Sequence, residues 1–321
     1  MADNVNLSTA TQPQLLSVVI ATRNRAEGTG RAVESIIRTE QAEYPAGVEL
    51  IIVDQSDDDA TQRVVAPYLH SDPVRYIKTA SRGLGAARNV GVAAARGERI
   101  AFTDDDCTVG PDWLAKLCRG FEVAGPVGVV FGNVIEGPHD RDAGFIPSYV
   151  RKGSFLARSI VDKHNVEGIG ACMALRKSAW ASLGGFDPLL GAGSRFHSAE
   201  ELDFVIRALV SGHWVYETAN AEVTHDGLRP NMQKSALAYE YCFGIGAVYV
   251  KHLKCRRWEV LLPLLRLAFR WALRSPAVHY GEPPGRIPRL RGFLHGVMAG
   301  WRTPVDRTAV LYRADAEGRD C

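Results

Sequence analysis

The chain has few of the marks that would assign it at once. Among 321 residues there are six cysteines at irregular spacings and no CxxC pair. This excludes the common zinc and dithiol motifs, and a chain of this length does not need a disulfide scaffold. Reduced thiols and a cytoplasmic setting are the expectation. No run of 18 uncharged apolar residues occurs, so no transmembrane helix is expected. Residues 1–14 are polar, lack a basic stretch leading into an apolar one, and read as a flexible N-terminus without a secretory signal. A net charge of +2 gives no general argument for nucleic acid. The glycine-rich stretch at 83–91 has neither GxGxxG nor GxxxxGK[ST] spacing, which counts against a dinucleotide fold and a P-loop. There is no internal repeat.

What is present is ordinary globular composition, 46% hydrophobic and 23% charged, with room for one large or two modest domains. From residue 15 to about 135, short apolar runs alternate with helical periodicity. Strands are predicted at 15–21, 48–53, 74–77, 98–103 and 128–134, and helices at 29–38, 60–69, 85–95 and 113–121. That alternation predicts an α/β fold with a mainly parallel sheet flanked by helices. Residues 136–165 read as an irregular connection. Strands at 168–175 and 214–223 enclose a helix at 200–209. The tail from 231 reads as helical and basic, interrupted between Pro276 and Pro288.

The stretch 261–274 is amphipathic. Arg266, Arg270 and Arg274 recur every four residues on one helical face, opposite Leu, Phe and Trp. Two arrangements suit it: peripheral contact with an anionic membrane surface, or packing on the domain with the arginines in water. The second is the commoner and the favoured one.

The chemistry concentrates at strand ends. Asp104, Asp105 and Asp106 follow an apolar strand, and three clustered carboxylates cannot stay buried without a counter-charge. A divalent cation carrying a phosphate-bearing substrate would supply it, at the strand end where open α/β sheets place ligands. A solvated turn or helix cap is an equal alternative. Asp54 ends another strand, where it would accept hydrogen bonds from a base or ribose, or cap the next helix. Arg88, at the start of a helix after the glycine-rich turn, offers a permanent bidentate cation for a diphosphate. Cys107 beside the triplet should hold its proton and not act as a nucleophile.

Taken in order, the segments SVVIATRNR (17–25), VDQS (53–56), GLGAARNVG (83–91), FTDDD (102–106), GACMALRKSAWASLGGFD (170–187), EELDF (200–204) and VTH (223–225) resemble family 2 of the glycosyltransferases. The resemblance implies a GT-A fold over 15–228, with a nucleotide-binding half to about 135, an acceptor half from 136, and a helical basic C-terminal region at 229–321. It implies an inverting enzyme that moves a sugar from a nucleotide donor, UDP-linked by expectation, to an acceptor hydroxyl on a glycan, a lipid-linked glycan or a small metabolite. Nucleic acid is not among the expected partners. Localisation would be cytoplasmic, or peripheral at the inner membrane face.

The resemblance places Thr22, Arg25, Asp54, Arg88 and Asn89 at the nucleotide sugar. Asp104 and Asp106 would support Mn²⁺ or Mg²⁺, with His225 as a further ligand, and Asp105 would face the ribose or sugar. Glu201 would be the catalytic base, with Glu200 as its alternative. The family's usual Glu-Asp pair is here Glu200-Glu201, and Gln55 replaces a second carboxylate in VDQS. Asp203 has a structural alternative, an ion pair with Arg207 one helical turn on. The loop at 190–199 suits a lid or an acceptor contact, or an ordinary connection. Two competing readings are a metal-dependent nucleotidyltransferase, disfavoured because 22–25 lacks glycines, and a non-catalytic carbohydrate-binding or scaffold protein.

Overall fold

The computed structural model describes residues 15–38, 47–70, 73–273 and 286–314. The expected flexible N-terminus, Arg274 of the arginine stripe, and most of the proline-bounded interruption lie outside the described residues.

The chain first forms β1 (Leu16–Thr22), α1 (Ala26–Ile37), β2 (Val48–Asp54), α2 (Ala60–Val65), β3 (Val74–Lys78), α3 (Leu84–Ala94) and β4 (Arg99–Asp104). Then come β5 (Cys107–Val109), α4 (Trp113–Cys118), β6 (Val127–Glu136), β7 (Gly144–Phe145), β8 (Phe155–Ala157), β9 (Met173–Arg176) and α5 (Lys177–Leu183). The remainder is α6 (Glu200–Val210), β10 (Trp214–His225), β11 (Arg229–Pro230), α7 (Lys234–Lys254), α8 (Leu261–Leu273), α9 (Arg286–Arg302), β12 (Val305–Asp306) and β13 (Leu311–Tyr312).

The main sheet runs β3-β2-β1-β4-β9-β6-β10-β5, with β8 added against β10. The first four strands in that order pair in parallel, and β9 lies antiparallel between β4 and β6. Strand β2 (VELIIVD) is buried along its whole length, as expected when helices cover both faces of a parallel sheet. One apolar core gathers Val18, Ile20, Val33 and Trp113; the other gathers Val19, Ile51, Phe102 and Phe204. The alternation along β1 sends neighbouring residues into opposite cores.

After β1 the chain turns outward to β2 and β3, then returns to β4 on the other side of β1. Such a reversal opens a crevice at the carboxyl ends of the two strands. The register sets Thr22 opposite Asp54 and Ala21 opposite Asp104, so the polar strand ends line one edge. On the far side, His225 at the end of β10 pairs with Cys107, which brings β10 against the acidic turn.

Helices α7 and α9 and the β12–β13 hairpin pack onto α6 through a third apolar core that includes Leu190, Phe196, Ile206, Val248 and Tyr312. The packing also contains charge. Lys251, fully buried on α7, lies 2.7 Å from both Asp187 and Asp203. Asp203 also receives Arg207 at 2.9 Å and His252 at 3.0 Å. Two carboxylates thus meet two cations, and burial first of all holds the His252 pKa below its ordinary value.

The amphipathic helix faces the other way from the favoured expectation. In α8, Arg266 reaches the Val161 carbonyl and His164, and Arg270 pairs with Glu167. Leu265 and Phe269 instead face outward, 65% and 67% exposed. Periodicity fixes which residues share a face. The partner at 160–167 took the arginine face because it offers carbonyls and a carboxylate.

Candidate active site

Strand β4 ends at Asp104 and a turn at Asp105-Asp106 leads into β5. The turn breaks the alternation of an extended chain, so the three carboxylates part company. Asp105 is buried and accepts hydrogen bonds from Thr22 (2.8 Å) and Arg25 (3.1 Å). Burial lifts its pKa to about 6 against the pull of Arg25. It therefore ties β1 to β4 at the place where the resemblance puts the ribose or sugar. Thr22, also buried, is shared between Asp105 and Thr29.

Asp106 turns toward β10. His225 Nε2 stands 3.1 Å from its Oδ1, while His225 Nδ1 lies 2.9 Å from the Pro147 carbonyl oxygen. With Nδ1–H donating to that carbonyl, Nε2 faces the carboxylate: protonated it donates to Asp106, and neutral it offers a lone pair, the usual orientation of a metal-ligating histidine. Burial alone would raise the Asp106 pKa, but His225, Arg25 and Arg229 outweigh it and hold it well below the carboxylate range. Burial works to lower the His225 pKa, and Asp106 reverses this and raises it.

Gly227 closes this corner: a Cβ there would stand 2.4 Å from Asp106 Oδ2 and 2.8 Å from His225 Nε2. A carboxylate, an oriented imidazole and a glycine-lined recess fit a divalent ion. Among the described residues, the grouping whose ligand atoms lie within 4.8 Å of one another is Asp106, Cys107 and His225. Burial and the neighbouring carboxylates push the Cys107 thiol up, so it stays protonated and suits a hard ion poorly.

Asp104, expected beside Asp106 at the metal, turns toward Arg88 at 3.5 Å. Arg88 is itself buried, lies over the Phe102 and Phe186 rings, and pairs with Glu200 at 2.8 Å. The expected diphosphate cation is thus enclosed, and it joins the end of β4 to the start of α6. Arg25, 41% exposed at its side chain, and Arg229, 31% exposed, are the more open cations beside Asp106.

The carboxylates Glu200, Glu201 and Asp203 occupy the first turn of α6, where the helix dipole favours negative charge. Glu200 is buried; burial and the adjacent Glu201 raise its pKa above the carboxylate range despite Arg88. Glu201 is partly buried. The loop before them is anchored. Gly191 N–H donates to the Ser198 carbonyl, the Ser198 hydroxyl donates to the Glu240 carbonyl, and Phe196 packs on Tyr312. Its residues His197 and Ala199 hold positive φ, which side-chain-bearing residues adopt only when their surroundings enforce it.

Asp54 and Asn89, both expected at the nucleotide, have these protein partners. Asp54 is fully buried and accepts from the Ser56 N–H (2.7 Å) and the Tyr76 hydroxyl (2.6 Å). Burial would raise its pKa, but these bonds outweigh it and lower it. The Asn89 amide donates to the Phe186 carbonyl, and its oxygen accepts from Trp180 Nε1 and the Phe186 N–H. Sequence reasoning missed Gly227, Arg229, Asp187 and Lys251. Of these, Asp187 closes the quoted 170–187 block and Gly227 lies two residues after the singled-out histidine.

Among curated relatives, the chain is 40% identical over 112 residues to the succinoglycan biosynthesis protein ExoO of Rhizobium meliloti, covering 34% of this chain and 30% of that one. It is 26% identical over 218 residues to a glucosyl-dolichyl phosphate glucuronosyltransferase of Haloferax volcanii, covering 65% and 68%. The matched stretch spans about a third of the length of the first curated relatives. Among solved structures, the mannosyltransferase PcManGT of Pyrobaculum calidifontis, in complex with GDP-Man and Mn²⁺, superposes with a TM-score of 0.58 at 16% identity, covering 94% of this chain and 79% of that one. S. aureus TarS in complex with UDP-GlcNAc gives 0.53 at 16% identity, covering 73% and 66%. These likenesses establish the GT-A fold. The model for glycosyl transferase family 2 matches residues 17–184, more than half of the chain, and the protein belongs to that family.

Proposed function

We propose that the chain transfers a sugar from a nucleoside-diphosphate donor, UDP-linked by preference, to an acceptor hydroxyl by a single displacement that inverts the anomeric centre. The observation that carries this reading is the meeting, at one sheet edge, of the Asp106–His225 pair with the Glu200–Arg88–Asp104 chain. Asp106 and His225 would hold Mn²⁺ or Mg²⁺, the imidazole favouring Mn²⁺. The ion, when bound, offsets charge on the departing diphosphate. Arg25 and Arg229 are positioned to add to that offset.

Glu201 is the base in this reading. Glu201 is only partly buried, whereas Glu200 is buried and held by Arg88. Glu201 would accept the proton of the acceptor hydroxyl as that oxygen attacks, and no covalent nucleophile is required. Support comes from similar folds solved with GDP-Man and Mn²⁺ and with UDP-GlcNAc. A relative named for a dolichyl phosphate substrate favours a lipid-linked acceptor over a free glycan or small metabolite. Residues 15–228 would form the catalytic unit, with 229–321 bracing it and the whole working at the cytoplasmic face.

Replacing Glu201 with Gln tests the assignment. Turnover should fall by about 100-fold or more while donor binding and the unfolding temperature hold. Unchanged turnover in Glu201→Gln, with loss in Glu200→Gln, would move the base to Glu200.

A further inference from the structure

Helices α8 and α9 present large apolar side chains to the outside. On α8, Leu261, Leu265 and Phe269 are 40%, 65% and 67% exposed at a spacing of four, which makes one stripe. On α9, Leu290, Leu294 and Trp301 are 56%, 50% and 65% exposed. The inner faces explain why neither helix can roll to hide them. Arg266 and Arg270 tether α8 to 161–167. On α9, Gly292 and Gly296 lie against the α7 backbone: a Cβ at Gly296 would stand 1.9 Å from the Phe243 carbonyl oxygen. The two helices touch through Trp271 and Phe293, whose ring centres are 5.7 Å apart.

Charge selects the occupant. Residues 254–302 hold ten Lys and Arg against two Glu. Arg286, Arg291 and Arg302 on α9, and Arg256 just after α7, are exposed. A second copy would bring an equal cationic excess against this one, and the two rims would repel. No described helix is long and apolar enough to cross a membrane. An apolar stripe with a cationic rim is the composition that lies in the plane of an anionic lipid surface.

We propose that the α8–α9 face docks on an anionic lipid bilayer, with Leu265, Phe269 and Leu294 entering the acyl boundary and the arginine rim meeting lipid headgroups. This inference does not rest on the donor or the base, and goes beyond the sugar-transfer reading.

The test is sedimentation of the full chain with vesicles of phosphatidylcholine, alone or mixed with phosphatidylglycerol. The chain should pellet with the anionic vesicles and be released by added salt. The outward-facing pair Leu265→Glu and Phe269→Glu should weaken binding by about tenfold or more, with the unfolding temperature retained. Arg286→Glu with Arg291→Glu should do so too, while leaving the apolar stripe intact. Failure to pellet with either vesicle would overturn the proposal. So would a concentration-dependent dimer abolished by the Leu265 and Phe269 substitutions, since a second copy would then cover the face.

Discussion

Arg88 and Glu200, 112 residues apart in the chain, are joined inside the protein by a 2.8 Å ion pair. The pair couples the strand that carries the acidic turn to the helix that carries Glu201. Its surroundings set its value. Burial raises the Glu200 pKa, so the arginine offsets a cost that the fold itself imposes.

Arg88→Met should therefore cost about 1–3 kcal/mol at neutral pH, because it removes the hydrogen-bond partner of a buried carboxyl group that can still take up a proton. Urea unfolding measures this. The double variant Arg88→Met/Glu200→Gln should recover part of the loss. Costs that simply add, within about 0.5 kcal/mol, would mean the pair is not coupled.

The second buried centre predicts that the C-terminal region braces the catalytic unit. Lys251→Met leaves Asp187 and Asp203 sharing too little positive charge in an apolar setting. A loss of about 3–5 kcal/mol is expected in urea unfolding. A change within about 0.5 kcal/mol would show that the contact is dispensable.

Asp203 also fixes a pH dependence. Burial would raise its pKa, but Arg207, Lys251 and His252 outweigh it and bring it far below the unfolded value. An unfolded Asp titrates near about 3.9. The folded state holds fewer protons, so the stabilisation is fully present above that value and is lost as pH falls toward the lower folded one. Asp203→Asn should be less stable than the parent at pH 7, with the gap closing below about pH 4. A gap that stays constant through acid would contradict the assignment.

Gly227 supplies a steric test of the metal corner. Gly227→Ala places a methyl 2.4 Å from Asp106 Oδ2, so the carboxylate must shift. Mn²⁺ affinity, read by calorimetry in the presence of UDP, should fall on the order of tenfold or more, the scale seen when a ligand's surroundings are disturbed. Equal affinity would place the ion elsewhere.

The parallel sheet was legible because β1, β2 and β4 are buried apolar runs that end in polar residues. The meeting of Thr22, Arg25 and the acidic triplet followed from strand order. What the sequence could not show was direction. A carboxylate at a strand end looks alike in sequence whatever surrounds it, and only the fold shows Asp54 accepting from Ser56 and Tyr76. Asp104 and Asp106 separate because the chain turns between them. The outward face of α8 depended on what 160–167 offered it. Lys251 carried no signal, since one lysine in a long helix reads as a solvated residue until Asp187 and Asp203 are seen around it.

The central claim is that Asp106 and His225 hold a divalent ion on the diphosphate of a nucleotide sugar. The most direct test is the unfolding temperature with UDP and other nucleoside diphosphates, with Mn²⁺ or with EDTA, for the parent and for Asp106→Asn. A ligand that binds the native state must raise this temperature. The account predicts stabilisation by at least one nucleoside diphosphate with Mn²⁺, abolished by EDTA and by Asp106→Asn. Stabilisation by none of them, or equal stabilisation of Asp106→Asn, would contradict it.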